Sequence, residues 1–454
     1  EFEKHFKTKI PRFCGEPSAQ GVEQCYWNTL EVFRKAFEAR GEFCAAASER
    51  LKASKASLDN FKREPRRNAP DLSALYAETN RPDQTPKELK LVPGSQISLR
   101  SAFCSVLGYL NRQSSGAFLA SAADLSASTS LVEAVNSFPS GFYNAVSNPE
   151  SRLVAVGGIC EDAMGAVMSG VSSYGRHIGV TSSYAAFISA LEHIPARLHA
   201  IGQQAASRVN GGSPYNTFIM INAHAGVKTG EDGPTHADPQ ALQLLQGNFP
   251  SGTLITLTPW DAQEMWPLTV AALKKRPAVL APYLTRPSET VPDRKALGLP
   301  GPEASASGVY AFMKAAPAAK CDGTLVLQGN AAASVFVGGP LGELRKAGYN
   351  LNVFYVSSLE LFQLLSETER EALFPALLAR DSMGITDFTL PTMQYWVRSK
   401  EGLGHTLHPF RDGTYAGSGS ADSVLKEAGA DADSQLRAIT GYIEARHKNL
   451  GCWC

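Results

Sequence analysis

A chain of 454 residues with 44% hydrophobic content is long enough for two or three domains with cores of their own. Its 43 basic and 43 acidic side chains cancel, which argues against nucleic acid, an anionic membrane surface or a polyanionic partner. The longest apolar runs, such as Leu153-Val-Ala-Val-Gly-Gly-Ile-Cys160, fall far short of the roughly 20 residues of a membrane helix, and the first residues lack the apolar centre of a signal peptide. Eight cysteines scattered over this length read as reduced thiols of a cytoplasmic protein. Cys452-Trp-Cys454 is too closely spaced for a zinc pair.

In chain order, Asn28 to Lys62 has helical spacing (Leu30, Val32, Phe33, Phe37, Phe43, Leu51, Leu58, Phe61), with Arg and Lys on the remaining faces. Arg63-Glu-Pro-Arg-Arg-Asn-Ala-Pro-Asp71 is a polar break, and Arg81-Pro-Asp-Gln-Thr-Pro-Lys87 reads as a further connector. Residues 1–93 are therefore expected to form a helical amino-terminal segment. From Ile97 onward, helices alternate with short apolar strands. The pattern predicts a helix from Ser98 to Tyr109, strands at Gly116–Ser121 and Leu153–Val156, and helices over Asp162–Ser172 and Ser182–Ile201. Further strands are expected at Thr217–Ile221, Leu254–Thr258 and Ala278–Ala281. Such alternation implies a mostly parallel sheet covered on both faces, with ligands at the carboxyl ends of its strands. After the proline-rich Pro287–Pro302 the pattern restarts, with a strand at Thr324–Gln328, a helix over Ala331–Ala347, a strand at Leu351–Val356 and a helix from Ser358. A flexible turn, Gly413–Asp422, leads into two short helices. The expected domains are 94–290 and 318–454, joined by a linker at 291–317.

The segment Ala223-His-Ala-Gly-Val-Lys-Thr-Gly-Glu-Asp-Gly-Pro-Thr-His236 holds the densest chemistry, with two imidazoles and two carboxylates directly after a strand-like run. Titratable groups crowded onto a loop at a strand end make poor core and good active site. Taken singly, each residue also has a structural explanation: Glu161 as an acid in the first turn of a helix, Asp232 in an Asx turn, His224 as a core histidine, each arginine in a surface salt bridge.

Four segments and one arginine, in order, resemble the transketolases. They are Ile97-Ser-Leu-Arg100, Ser121-Ala-Ala-Asp124-Leu-Ser-Ala-Ser128, Gly158-Ile-Cys-Glu161-Asp-Ala-Met-Gly165, Gly230-Glu-Asp-Gly-Pro-Thr-His236, and Arg286 after the strand at Ala278. The resemblance covers about residues 95 to 290, and the last domain is compatible with the family's third. It implies an α/β fold of two consecutive parallel-sheet, three-layer domains, one pyrimidine-binding and one of the transketolase C-terminal kind, behind the helical segment. It also implies thiamine diphosphate as cofactor. In the family pattern Glu161 bonds the pyrimidine N1′ and is catalytic, Asp124 lies beside the cofactor, and His224 contacts the reacting oxygens. Asp232 takes a sugar hydroxyl, and His236, Arg100, Arg286 and Ser128 clamp the phosphate of a sugar phosphate.

Several features depart from that pattern. Around the pyrimidine, where the family has two phenylalanines and a tyrosine, this chain is expected to offer Ile178, Thr181 and Tyr184. Asp162 follows the catalytic Glu, Cys160 precedes it, and Lys228 puts a cation into the signature loop. The family's diphosphate domain is marked by Gly-Asp-Gly and supplies the Mg2+ ligands; here each Asp-Gly follows Glu231, Cys321 or Arg411. The expectation is one subunit of a split transketolase, with that domain and its magnesium on a second subunit and the whole a heterotetramer. A single chain trimmed at its amino end would give the same sequence. The alternatives are a deoxyxylulose-phosphate synthase-like or 2-oxo-acid dehydrogenase beta-like enzyme, or a non-catalytic scaffold subunit.

Overall fold

The computed structural model describes residues 1–12, 18–62, 69–187, 189–191 and 195–450. The Cys452-Trp-Cys454 motif and residues 63–68 of the polar break lie outside them. The chain divides into two units, Glu1–Ala69 and Pro70–Cys454. In the first, the single helix expected from Asn28 to Lys62 is two, Ala19–Glu38 and Gly41–Asn60. Aromatic rings explain the break at Ala39-Arg40. Phe6 packs on both Phe37 and Phe43, at 5.5 and 5.6 Å between centroids, and Phe2 packs on Phe33 at 4.2 Å. A reversal of the chain lets those rings share one cluster.

The second unit contains two sheets and a ribbon. Strand β1 (Gln96–Ser98) opens it, followed by β2 (Phe118–Ala122), β3 (Ile178–Tyr184), β4 (Phe218–Ala223), β5 (Leu254–Leu257), β6 (Val279–Leu284) and β7 (Ser288–Thr290). The five strands β2-β3-β4-β6-β5 form an entirely parallel sheet, and β1 and β7 pair antiparallel apart from it. Central strands with both faces covered read as continuous apolar runs, and every residue of β4 and β6 is buried. One apolar cluster, around Phe103, Leu107, Phe118 and Ile219, covers one face of this sheet; another, around Met164, Met168, Phe218 and Met220, covers the other.

Two expectations for this sheet need correction. Leu153–Val156 is not a full strand: it reaches β2 only through the Ala120–Leu153 bridge, and Gly157 and Gly158, at φ 91° and 146°, turn the chain away. The third strand of the sequence lies instead at Ile178–Tyr184, and its end occupies the start of the helix expected over Ser182–Ile201. Small residues mask the strand pattern here for a physical reason. A Cβ on Gly179 would collide with the Met168 carbonyl of the covering helix Glu161–Tyr174, so close helix–strand packing demands glycine.

Strands β8 (Val309–Met313), β9 (Gly323–Gln328), β10 (Leu351–Val356) and β11 (Ser382–Thr386) form the second sheet, in the order β11-β9-β10-β8. All pairs are parallel except β8 with β10. Strand β8 lies inside the stretch expected to be a linker, and β11 falls where the sequence pattern predicts no strand. The helix expected over Ala331–Ala347 is split into Asn330–Gly338 and Pro340–Lys346, because Gly339 and a proline at the first helical position restart it. The last helix, Ala432–Leu450, runs 19 residues and is not short. No helix among the described residues is long and apolar enough to cross a membrane.

Candidate active site

The carboxyl ends of β2, β3, β4 and β6 carry the sequence motifs to one edge of the parallel sheet, where open α/β sheets bind ligands. Strand β4 ends at Ala223, and His224 follows with φ 59°. Asp124 (φ 61°) and Ser130 (φ 60°) are likewise left-handed beyond β2. Non-glycine residues in this region are costly and concentrate at sites whose geometry is over-determined.

His224 is 1% exposed and sits at the centre. Tyr184, the last residue of β3, stacks on it with centroids 3.8 Å apart and planes at 17°. Arg100 Nη1 lies 2.9 Å from His224 Nε2. Because a guanidinium can only donate, Nε2 must accept, and the imidazole proton belongs on Nδ1. That nitrogen faces Asp232 Oδ2 at 3.2 Å. The contact does not have hydrogen-bond geometry, so both atoms, like Arg100 Nε, are buried without a hydrogen bond. Asp232 Oδ1 accepts from Arg286 Nη1 at 2.6 Å, with Glu231 Oε2 3.9 Å from the same nitrogen.

The electrostatics follow from this crowding. Burial, then the Arg100 and Arg286 cations and His236, push the His224 pKa down to about 3, with Asp232 pulling the other way. The Asp232 hydrogen bond raises Arg286, whereas burial and then Arg286 lower Arg100. His224 is therefore neutral at physiological pH, and the cations stay available to an anion.

Arg100, Tyr184, His224, Asp232, His236 and Arg286 thus form one constellation. His236 packs 5.4 Å from Tyr184 and 5.6 Å edge-on to Phe187, and its Nδ1 is 2.8 Å from Thr235 Oγ1. Ser128 joins through its carbonyl, which accepts from Arg100, while its hydroxyl donates to the Leu125 carbonyl at 3.2 Å. Glu161 begins the helix Glu161–Tyr174 and is held by Ser183 Oγ, which donates to its Oε1 at 2.9 Å. Ser183 and Tyr184 are neighbours on β3, so the strand's alternation serves Glu161 with one side chain and His224 with the next. Asp124 is exposed beyond β2. Ile178 and Thr181 are not part of the constellation: Ile178 begins β3 within the sheet's core, and Thr181 Oγ1 donates to the Ile219 carbonyl at 3.3 Å.

Three participants were missed in the sequence. Phe187 stacks on Tyr184 at 5.9 Å, and its spacing of three from that tyrosine was the available signal. Ser183, and the Glu289 that pairs with Lys228, left none. An open cleft of about 640 Å³, lined by Arg100, Lys228, Thr229, Glu231, Arg286 and Ala421 among others, opens beside these side chains. Among the described residues, no group of three or more His, Cys, Asp or Glu is placed to hold a metal ion.

Residues 95–286 match the family profile described as transketolase, pyrimidine binding domain. The chain is similar to the chloroplastic transketolase of Zea mays, 25% identical over 287 residues that cover 63% of this chain and 38% of that protein. It is also similar to the chloroplastic transketolase of Craterostigma plantagineum, 28% identical over 233 residues covering 51% and 40% respectively. The matches thus span about two fifths of the length of these relatives. Among solved structures, the transketolase from Leishmania mexicana shares the fold with a TM-score of 0.64 at 18% identity, over 94% of this chain and 55% of that one.

Proposed function

From the match of residues 95–286 to the transketolase pyrimidine-binding profile, we propose that the chain is a transketolase-family protein and one subunit of a thiamine diphosphate-dependent transketolase. Its reaction would be transfer of a two-carbon ketol unit from a ketose phosphate to an aldose. The observation that carries the reading is the Arg100–His224–Asp232–Arg286 constellation at the strand ends, with three polar atoms buried and unbonded. Unsatisfied buried groups beside an open cleft suit a ligand rich in hydroxyls and ending in an anion.

The residues fit the cofactor as well. Glu161 is a carboxylate at the sheet edge held by the single Ser183 hydrogen bond, and Tyr184 and Phe187 provide an aromatic pair. Thiamine diphosphate, when bound, supplies the electron sink that carbon–carbon cleavage beside a ketone requires. Glu161 would hold a proton against the pyrimidine N1′ and so favour one of its tautomers. His224 keeps its proton on Nδ1 and turns Nε2 to a substrate hydroxyl once a phosphate engages Arg100. Asp232 accepts from a sugar hydroxyl, and Arg100, Arg286, His236 and Ser128 take the phosphate. Asp124, exposed beyond β2, would flank the cofactor.

The diphosphate-binding domain and its Mg2+ ligands reside on a second subunit, and the pair assembles as a heterotetramer. The pyrimidine-binding domain keeps the limits 94–290, with Pro70–Pro93 packed onto it through Leu75 instead of belonging to the extension, and the carboxyl-terminal domain begins at β8 instead of at 318. Five free thiols among the described residues, Cys25, Cys44, Cys104, Cys160 and Cys321, suit the reducing cytosol. The test is native mass spectrometry of the protein from its source cells, followed by ketose-phosphate assays of the assembly with Glu161→Gln. A partner bearing Gly-Asp-Gly and retained cofactor supports the reading. A bare homo-oligomer, or a rate unaffected by Glu161→Gln, would sink it.

A further inference from the structure

Lys228 is the lysine of the signature loop, and the proposed chemistry gives it no task. Its side chain is only 13% exposed, and its ammonium lies 2.6 and 2.7 Å from the two carboxylate oxygens of Glu289. It also donates to Ser334 Oγ at 2.9 Å. These three residues come from three different parts of the fold. Lys228 stands midway between His224 and Asp232 in the loop. Glu289 is the middle residue of β7, opposite Ile97 of β1. Arg286 precedes β7 by two residues and Arg100 follows β1 by two, so this ribbon carries both arginines of the phosphate site. Ser334 lies in the helix Asn330–Gly338, which follows β9 of the second sheet.

Other contacts run along the same seam between loop and second sheet. A Cβ on Gly226 would lie 3.0 Å from Asp387 Cβ, and one on Gly233 would collide with Ser418 Oγ. Ala421 of the carboxyl-terminal part lines the cleft together with Arg100, Lys228 and Arg286. The seam is therefore tight, and its central contact is ionic and mostly dry. Removing one member of such a pair leaves the other as an uncompensated charge, which moves rather than stays.

We propose that Lys228 is a positioning residue: it fixes the two arginines relative to His224 and Asp232, and through Ser334 it lets the carboxyl-terminal domain set the site's affinity for the phosphate end of a sugar phosphate. The ligand rests on the function proposed above, whereas the ionic tie does not. Lysine suits this task because its three donors can serve Glu289 and Ser334 together.

The test uses the full chain, with its partner subunit where one co-purifies, as wild type, Lys228→Met, Lys228→Arg, Glu289→Gln and the Lys228→Met/Glu289→Gln double variant. Hydrogen exchange without ligand reads the tie: Lys228→Met should speed exchange in 96–98, 288–290 and 224–236 while leaving β5 unchanged. Titration with ribose 5-phosphate by calorimetry reads the consequence. Affinity should fall about tenfold in either single variant and no further in the double, as expected of one shared interaction, with Lys228→Arg restoring most of it. Wild-type exchange in a folded Lys228→Met variant, or additive losses in the double, would overturn the proposal. Coupled exchange with no ribose 5-phosphate binding by wild type would overturn the sugar-phosphate reading and uphold the tie.

Discussion

Replacing Arg100 by methionine should return part of the basicity that His224 has lost. The fall of its pKa from 6.5 to about 3 corresponds to roughly 5 kcal/mol against the imidazolium, at about 1.4 kcal/mol per pKa unit. Burial is the first cause and survives the substitution, since methionine keeps most of the stem that covers the ring. The cation does not survive. Unit charges about 4 Å apart repel by about 4 kcal/mol at an effective dielectric of about 20. Arg100 is only partly buried, and solvent screening should bring that down to about 2 kcal/mol, or 1.5 pKa units. The variant's His224 should therefore titrate at about pH 4–5, above the native value and still below 6.5. The assay is a two-dimensional 1H–15N correlation of histidine-labelled protein across the pH range. The native ring should show the Nδ1–H tautomer throughout the neutral range, and the variant a mixture of tautomers. A native His224 that titrates near 6.5, or carries its proton on Nε2, would refute the reasoning. A depressed histidine contributes stability that is present above pH 6.5 and lost as the pH falls towards about 3. Arg100→Met should flatten that dependence.

Ser183→Ala removes the hydrogen bond holding Glu161 and should lower kcat of the assembled enzyme about tenfold, with the sugar-phosphate KM little changed; equal rates would show that the hydroxyl does not position the carboxylate. Gly179→Ala should cost on the order of 3 kcal/mol in urea denaturation, because the new methyl group meets the Met168 carbonyl and forces the Glu161 helix off the sheet. An unshifted midpoint would contradict that packing. Asp387 accepts from the Ala331 and Ala332 amides at 2.7 Å each, yet burial pushes its pKa up from 3.8 to about 7. Its folded form keeps a proton that the unfolded chain releases, so its stabilisation is full below pH 3.8 and is lost as the pH rises through about 7. Relative to Asp387→Asn, the native protein should lose up to about 4 kcal/mol between pH 4 and pH 8. Parallel stability curves would count against it.

The motifs were legible in the sequence because their spacing is local. Gly230–His236 is one loop, and its strand, β4, opens on the apolar run Phe218-Ile-Met-Ile221, whose two β-branched residues favour a strand. The arrangement of those motifs was legible only as far as strand ends converge in parallel sheets. Where small residues dominate, as in Gly179 and Ser182-Ser183, periodicity misleads, and the end of the interior strand β3 carries a helical expectation. Leu153–Val156 shows the reverse error: apolar composition fits a strand, but the following glycines leave only isolated bridges from Leu153 to Ala120 and Phe142. Lys228 could be flagged as an unexpected cation but not interpreted, since its partners Glu289 and Ser334 are 61 and 106 residues away. No local pattern encodes such a meeting.

The β1–β7 ribbon also bears on when the site comes into being. Its two strands pair residues up to 194 apart in sequence, as in the Gln96–Thr290 side-chain hydrogen bond. At about 5–20 residues per second, a ribosome would need roughly 10–40 s to make the second strand after the first. Arg100 therefore waits through most of the domain's synthesis without its counterpart, and long-range closure comes late in folding. A nascent chain would hold no complete anion site until the parallel sheet beneath it had been made. Phosphate capture would then report a finished domain, and a polypeptide cut short before residue 288 would keep the signature loop without the Lys228–Glu289 pair that ties it to the ribbon.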